Sequence, residues 1–354
     1  MMRVCLAVAL AVLLFSIPAV WGQSSDKPGD GAPANSRTPD RTLPPGLTTQ
    51  DRVRDILNAV VRVRATIPTT AHSARFLGTE REGSGVLIDD KGHILTVGYI
   101  VLEAATIEVE TSSGGKTPAF AVGYDAANGF GLLRSAVPLK ETPLPIGEST
   151  GLTAQDPVAI VSFGPGARIA PAVVAMRRTF VGYWEYLLEN AIFTVPPAPN
   201  YAGAALVNQE FKLVGIGSLF VRDTLNDGAG MPGNMFIPID ALKPILDSMK
   251  RLGRPEAGAK PWIGVYVVEQ FGRVLITDVS LEGPAQRAGL ETGDIILGIN
   301  DAQVSDIAQF YRSLWGLGQA GVTVRLKILH GSDVRAVNVQ TIDRYTHYKM
   351  TGMN

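Results

Sequence analysis

The sequence predicts a mainly β protein built from two units, and three observations carry that expectation. Short runs of aliphatic and β-branched residues, punctuated by turn residues, recur from Gly85 to Ser218, the pattern of a β-sandwich or a pair of barrels. The 38 glycines and 23 prolines supply the many turns that short strands require. A second series of strand-like runs starts at Trp262, beyond the linker G-R-P-E-A-G-A-K-P.

The elements follow in chain order. Arg3, an apolar run from Val4 to Phe15 and the small residues ending at Gly22 read as a signal peptide over residues 1–22. The competing reading is an uncleaved anchor, for which the apolar run is short. Cys5, the only cysteine, stands at the start of the apolar run instead of following it, which argues against a lipoprotein. The exported product then has no disulfide and relies on its cores. Residues 23–46 are polar and Pro/Gly-rich, as expected of a disordered linker.

Thr48 and Asp51 open a helix whose Val53, Ile56, Leu57 and Val60 share a face, and V-V-R-V-R-A-T-I hands it over to a strand. Pro68 to Glu80 reads as a surface loop. Strand runs then follow at Gly85–Ile88, His93–Val97, Thr106–Glu110, Ala119–Val122, Val158–Ser162, Ala172–Ala175, Ala191–Val195, Ala205–Asn208 and Leu213–Ser218. Ile239 to Leu252 reads as an amphipathic closing helix. The first domain is thus 47–252, the linker 253–261, the second domain 262–343 and the tail 344–354.

Charge excludes some partners. Charged residues make up 18% of the chain, below the roughly 25% of an average soluble domain, and the net charge is -1. That balance gives no electrostatic case for nucleic acid or an anionic membrane surface. No metal and no cofactor is expected, since the mature chain lacks cysteine, its histidines are scattered, and neither H-E-x-x-H nor a phosphate loop occurs. The aromatic cluster F-V-G-Y-W-E-Y, Phe180 to Tyr186, reads as core or subunit contact in preference to a ligand-stacking site.

In the second unit, G-P-A-Q-R-A-G-L-E-T-G-D-I-I-L-G-I-N-D, Gly283 to Asp301, resembles the PDZ signature. The resemblance implies that W-I-G-V, Trp262 to Val265, is the loop that holds a peptide's terminal carboxylate on backbone N–H groups. Gly264 would allow close backbone approach. It also implies that the strand through Val265, Tyr266 and Val267 is the edge to which a peptide adds, with the helix from Asp306 as the opposite wall. On that helix Ile307, Tyr311 and Leu314 share one face, and Phe310 and Leu314 another. Helical spacing alone leaves open which face meets a ligand.

The first unit resembles the trypsin-like domain of the HtrA/Deg proteases. The landmarks are G-S-G-V-L-I-D at Gly83, G-H-I-L-T-V-G-Y-I-V-L-E-A at Gly92, G-Y-D-A-A-N-G-F-G-L-L-R at Gly123 and P-N-Y-A-G-A-A-L-V at Pro199. The resemblance runs from about Ala59 to Leu252 and implies a trypsin-like double β-barrel followed by a PDZ domain. It places Tyr99 at the histidine position, Gly129 at the aspartate position and Ala202 at the serine position. A serine protease needs a hydroxyl, an imidazole to take its proton and a carboxylate to orient the imidazole. Tyr99, a poor base at neutral pH, is expected to fill the imidazole's space and find a partner for its OH. His93, about 20 Å away along a strand, cannot substitute, and Asp125 is expected to hold a turn.

The expectation is therefore an inactive, non-enzymatic pseudoprotease of the bacterial periplasm. It would bind extended or C-terminal peptide segments of envelope proteins as a scaffold, regulator or holdase, and family resemblance implies a homotrimer. Two other readings compete: an active HtrA-like endopeptidase of envelope quality control, and a PDZ groove occupied internally by the chain itself.

Overall fold

The computed structural model describes residues 49–348 other than 165 and 167, so the signal-peptide and linker readings over 1–46 lie outside the described residues. The chain divides at Arg54. In the first unit Asp51 and Arg54 form an ion pair at 2.8 Å. Apart from the first residues of helix α1, everything below concerns the second unit, from Asp55 onward.

Helix α1 (Thr49–Ala59) ends where β-branched residues begin, and β1 (Val60–Thr66) follows without a loop. The strand then alternates buried Val61, Val63 and Ala65 with the more exposed Arg62 and Arg64. The loop beyond it carries a single helical turn, α2 (Ala74–Leu77). Strands β2 (Glu80–Leu87) and β3 (His93–Val97) come next, then the short α3 (Gly98–Val101). With β4 (Thr106–Glu110), β5 (Lys116–Tyr124) and β6 (Phe130–Ser135) they close a barrel in the order β1-β2-β3-β6-β5-β4.

A second closed barrel runs β10-β11-β12-β9-β8-β7. Its strands are β7 (Pro157–Val161), β8 (Ile169–Gly182), β9 (Tyr186–Val195), β10 (Ala205–Val207), β11 (Leu213–Val221) and β12 (Gly233–Pro238). The pair of barrels thus holds and the sandwich does not, because both sheets close and leave no open edge. One apolar core joins them, from Val61 and Leu95 in the first barrel to Phe193 and Ile216 in the second.

The closing helix is broken. A 3-10 turn (Ile239–Ala241) and a non-helical stretch precede α4 (Leu246–Leu252). Pro244 explains the break, since it lacks an N–H and disfavours helical geometry at the residue before it.

The second domain starts with β13 (Pro261–Trp262), then β14 (Val265–Gln270) and β15 (Arg273–Val279). After them come α5 (Pro284–Arg287), β16 (Ile295–Ile299), β17 (Ala302–Gln303) and α6 (Ile307–Trp315). The chain finishes with β18 (Thr323–His330), β19 (Asp333–Gln340), β20 (Ile342–Asp343) and α7 (Arg344–His347). The sheet order is β14-β15-β16-β18-β19, so β14 is an edge strand. Asp306 caps α6 by accepting from Gln309 N at 2.7 Å. Residues 344–348, assigned from sequence to the tail, pack between the domains. Tyr345 Oη donates to Tyr124 O at 2.9 Å, and Arg254 pairs with Asp343 at 2.6 Å.

Candidate functional site

Two places combine ordered backbone with chemically active groups: the cleft between the barrels and the groove between β14 and α6.

Three segments meet at the cleft. The turn α3 carries Tyr99, and Gly98 N just before it donates to Gly129 O at 2.7 Å. Tyr99 Oη donates to Ser218 O on β11 at 2.8 Å, and burial pushes its phenol well up. Ala202 O accepts from Ser84 N at 2.8 Å. The next residue, Gly203, has φ +72° and donates to Gly217 O at 2.8 Å. A Cβ there would run into the Ser84 carbonyl oxygen, so this loop requires glycine at that position. The segments carrying Tyr99 and Gly129 are thus joined by a backbone bond, and Tyr99 and the Ala202–Gly203 turn both reach the Gly217–Ser218 stretch of β11.

The neighbouring titratable groups are engaged elsewhere. Asp125 is fully buried and holds a turn, accepting from Ala127 N at 2.9 Å and Asn128 Nδ2 at 2.6 Å. Burial raises its carboxyl above the usual range against those bonds. His93 lies against Asp89, its Nδ1 2.7 Å from the carboxylate, and Asp89 also pairs with Lys250 at 2.8 Å. His72 stacks on His347 at 4.2 Å between centroids. Tyr186, at the start of β9, donates to Asn128 O at 2.6 Å. A Cβ on Gly129 would lie 3.3 Å from that hydroxyl. Chemically, the three landmark positions offer an engaged phenol, no side chain and a methyl group.

The groove is different. Ile263 N, Gly264 N and Val265 N all point at one carboxylate, that of Glu185 in the turn joining β8 and β9. Gly264 N and Val265 N donate to Oε1 at 2.6 and 3.0 Å, and Ile263 N reaches Oε2 at 3.3 Å. Gly264 has φ +81°, and its missing side chain leaves room beside Ser280 and the Trp262 ring. Two residues before Glu185, Tyr183 O accepts from Val267 N on the free edge of β14 at 2.8 Å. From the opposite wall, Tyr311 Oη accepts from Glu185 N at 2.9 Å and donates to Gly182 O at 3.1 Å. Burial pushes the Glu185 carboxyl up to about 7, and the N–H bonds and the Arg344 charge only partly offset it.

The residues expected to bind peptide lie as follows. Trp262 is buried against His347. Tyr266 presents its ring to Phe76 and Tyr183, at 4.6 and 6.2 Å. Val267 and Tyr311 are fully buried, and Ile307 packs at the edge of the same apolar cluster. On α6, Phe310, Tyr311 and Leu314 all belong to that cluster, and the Tyr311 hydroxyl reaches the β8–β9 hairpin.

Glu185, Tyr183 and Arg344 escaped the sequence reading. The signal that could have found the hairpin was present: two strand-like runs flank V-G-Y-W-E-Y, with Gly182 at the turn. Read as an aromatic cluster alone, the segment gave no hint that its carboxylate mattered. Arg344 stood in a presumed tail, yet it donates to Glu185 O and Trp184 O at 3.2 and 3.3 Å.

Comparison with known proteins bears on both places. Residues 261–341 match the PDZ domain model and residues 83–216 the trypsin-like peptidase domain model. The periplasmic serine endoprotease DegP of Escherichia coli K12 is 28% identical over 272 residues, covering 73% of this chain and 56% of its own length. A probable periplasmic DegP-like endoprotease of Halomonas elongata is 28% identical over 279 residues, covering 74% and 56%. Protease Do-like 1 of Arabidopsis thaliana chloroplasts is 27% identical over 281 residues, covering 73% and 62%. This chain thus spans little more than half the length of the curated relatives it matches.

Among solved structures, the serine endoprotease from Yersinia pestis aligns with a TM-score of 0.51 at 22% identity, over 85% of this chain and 99% of that one. The HtrA-type protease AlgW with decapeptide aligns at 0.51 and 21%, over 84% and 99%. The fold is a trypsin-like double barrel followed by a PDZ domain, as in those proteases.

These findings correct one expectation. The chain was expected not to be an enzyme, but its relatives are named serine endoproteases and the peptidase-domain model spans Tyr99, Gly129 and Ala202. The expectation fails because it rested on side-chain identity at three positions, which does not enumerate every group able to carry hydrolysis in a cleft.

Proposed function

We propose that this chain works in envelope protein quality control as an HtrA-type protein that engages polypeptides through its PDZ groove. One observation supports this most directly: the Ile263–Gly264–Val265 N–H groups already hold a carboxylate, and Val267 N on the edge of β14 already donates one further backbone bond. Both belong to peptide recognition by strand addition. The ligands would be extended or C-terminal segments of envelope proteins, met in the periplasm, where the bacterial relatives are named as residing. The chain would work as a homo-oligomer, a trimer by resemblance to HtrA/Deg proteases, which light scattering on the purified protein would test.

A second activity, endopeptidase action at the cleft between the barrels, is favoured by the names of the relatives. The groups carrying it would be other than Gly129 and the Ala202 methyl, since neither can donate or accept a proton. Incubating the purified full chain with casein and a fluorophosphonate probe tests this reading. Turnover that survives removal of contaminating protease on a second column supports it, and no turnover at any concentration of enzyme rejects it. Groove binding is tested separately, by titrating fluorescent peptides that end in a free carboxylate.

A further inference from the structure

We infer that Glu185 is a built-in substitute for a peptide's C-terminal carboxylate, so that the PDZ groove takes an external C-terminus only in exchange for the β8–β9 hairpin. This inference rests on the reading of the groove as a peptide site and adds that the site is closed by its own ligand.

The geometry reproduces both halves of strand-addition recognition. The carboxylate lies on the Ile263, Gly264 and Val265 N–H groups, where a terminal carboxylate would be held. Two residues upstream, the Tyr183 carbonyl accepts from Val267 N, the bond an added strand would make to the β14 edge. Glu185 and Tyr183 therefore stand where the last and third-last residues of a bound peptide would stand. The apolar part of such a peptide has its counterpart in Leu187, which is buried in the cluster of Ile263, Val265, Val267, Phe310, Tyr311 and Leu314.

The hairpin is shaped for this contact. Gly182 pairs with Tyr186, leaving a three-residue turn whose last residue has positive φ. Glycine is the usual occupant of that position, yet here it is Glu185, at φ +52°. Holding a glutamate there is unfavourable unless its side chain gains something, and its side chain ends on three N–H donors. Tyr311 and Arg344 clamp the same turn through backbone atoms, from α6 and α7. These clamps hydrogen-bond only the turn's backbone, so changing the Glu185 side chain breaks none of their bonds.

Exchange would also reach the cleft. Tyr186, next in sequence, hydrogen-bonds Asn128 O beside Gly129. A peptide that displaces the hairpin would pull on the residue whose hydroxyl closes that side of the cleft. The ligand chemistry is accordingly a free α-carboxylate on an extended segment with an apolar residue at or near its end.

The test uses the full chain and two versions of one fluorescent peptide with an apolar last residue, a free acid and its C-terminal amide. Glu185→Gly keeps the turn's preferred backbone and removes only the carboxylate. The variant should bind the free acid about ten-fold tighter than wild type or better, equivalent to about 1.4 kcal/mol, with the amide weak in both. Amide exchange at Ile263–Val265 should be slow in wild type, fast in the variant, and slow again once peptide is added. Equal, measurable affinity in wild type and variant would overturn the exchange while leaving the groove a peptide site. No binding by a variant with exposed loop amides would overturn the peptide reading itself. Should Glu185→Gly fail to fold, Glu185→Asn also accepts the turn's positive φ and draws the side chain back from the loop N–H groups, and it must still bind the free acid more tightly than wild type does.

Discussion

In the cleft between the barrels, Tyr99 ends on a backbone carbonyl of β11; in the PDZ groove, Glu185 ends on three backbone N–H groups. Both contacts fill a place where another molecule could sit, and they differ in kind. The phenol contact lies within the barrel pair and satisfies one neutral hydroxyl. The carboxylate contact crosses from one domain to the other and gathers its donors at a loop that requires Gly264. A neutral bond inside a core fixes structure, whereas a displaceable charge on a ready-made anion site couples two domains. The groove is the part of this molecule where an external ligand competes with the protein itself.

The strongest test of that contrast removes the wall that holds the hairpin. Tyr311 is fully buried, stacks on Trp315 and bonds the turn at both Glu185 N and Gly182 O. Tyr311→Ala should cost about 3–5 kcal/mol in urea denaturation, as expected for truncating a buried aromatic side chain. It should also free the hairpin, seen as faster amide exchange at Val267. A loss below about 1 kcal/mol would place the side chain outside the core and break the comparison.

The second test is pH. Burial pushes the docked Glu185 carboxyl up to about 7, and release to water returns it to the ordinary 4.5 of a glutamate. The docked carboxyl binds its proton more tightly, so docking is strongest below about pH 4.5 and weakens as pH rises through about 7. The change amounts to roughly 3 kcal/mol at most. The charged and titratable groups facing it are the Arg344 guanidinium from α7, which stays charged, and the Tyr311 hydroxyl from α6, which burial pushes well up. Neither changes state over this range. Amide exchange at Ile263–Val265, corrected for its intrinsic pH dependence, should therefore show more opening at about pH 8 than at about pH 5 in wild type. Glu185→Gln should show the same opening at both.

How much of this was legible in the sequence depends on the reach of the signal. Short-range signals read well: α1 gives way to β1 at the β-branched Val60-Val61, and Asp306 caps α6. Pro244 announced a break that the amphipathic spacing of Ile239 to Leu252 concealed. The landmark residues Tyr99, Gly129 and Ala202 are placed by resemblance, and hydrogen bonds link the segments that carry them to one another or to β11. Glu185 was illegible because its partners lie almost 80 positions away, and no local pattern marks a carboxylate as a ligand of a distant loop. Arg344 was hidden in the same way.

The third test returns to the cleft. Tyr99→Phe deletes the hydroxyl bonded to Ser218 O and should cost about 0.5–1.5 kcal/mol, the net worth of one neutral hydrogen bond. Peptide affinity should not change, since nothing in the groove touches that hydroxyl. If denaturation shows the small loss and peptide titration also shifts, coupling runs through Tyr99 as well as through Tyr186, and the contrast drawn above is too sharp.

The smallest effect should come from the ion pair beside the hairpin. Arg312 on α6 meets Glu189 on β9 at 2.9 Å, and both side chains are 54% exposed. Pairs of this kind contribute about 0–1 kcal/mol, because water already solvates both partners and salt screens what is left. Arg312→Ala should therefore shift peptide affinity by less than about a factor of three. The inner contact obeys a different rule. The Glu185 carboxylate is shielded from solvent on every side, so raising salt from about 0.05 to about 0.5 M should leave loop protection nearly unchanged in both wild type and Arg312→Ala. If salt alone opened the loop, the outer pair would be holding the hairpin, and Glu185 would be a passenger at the site it fills.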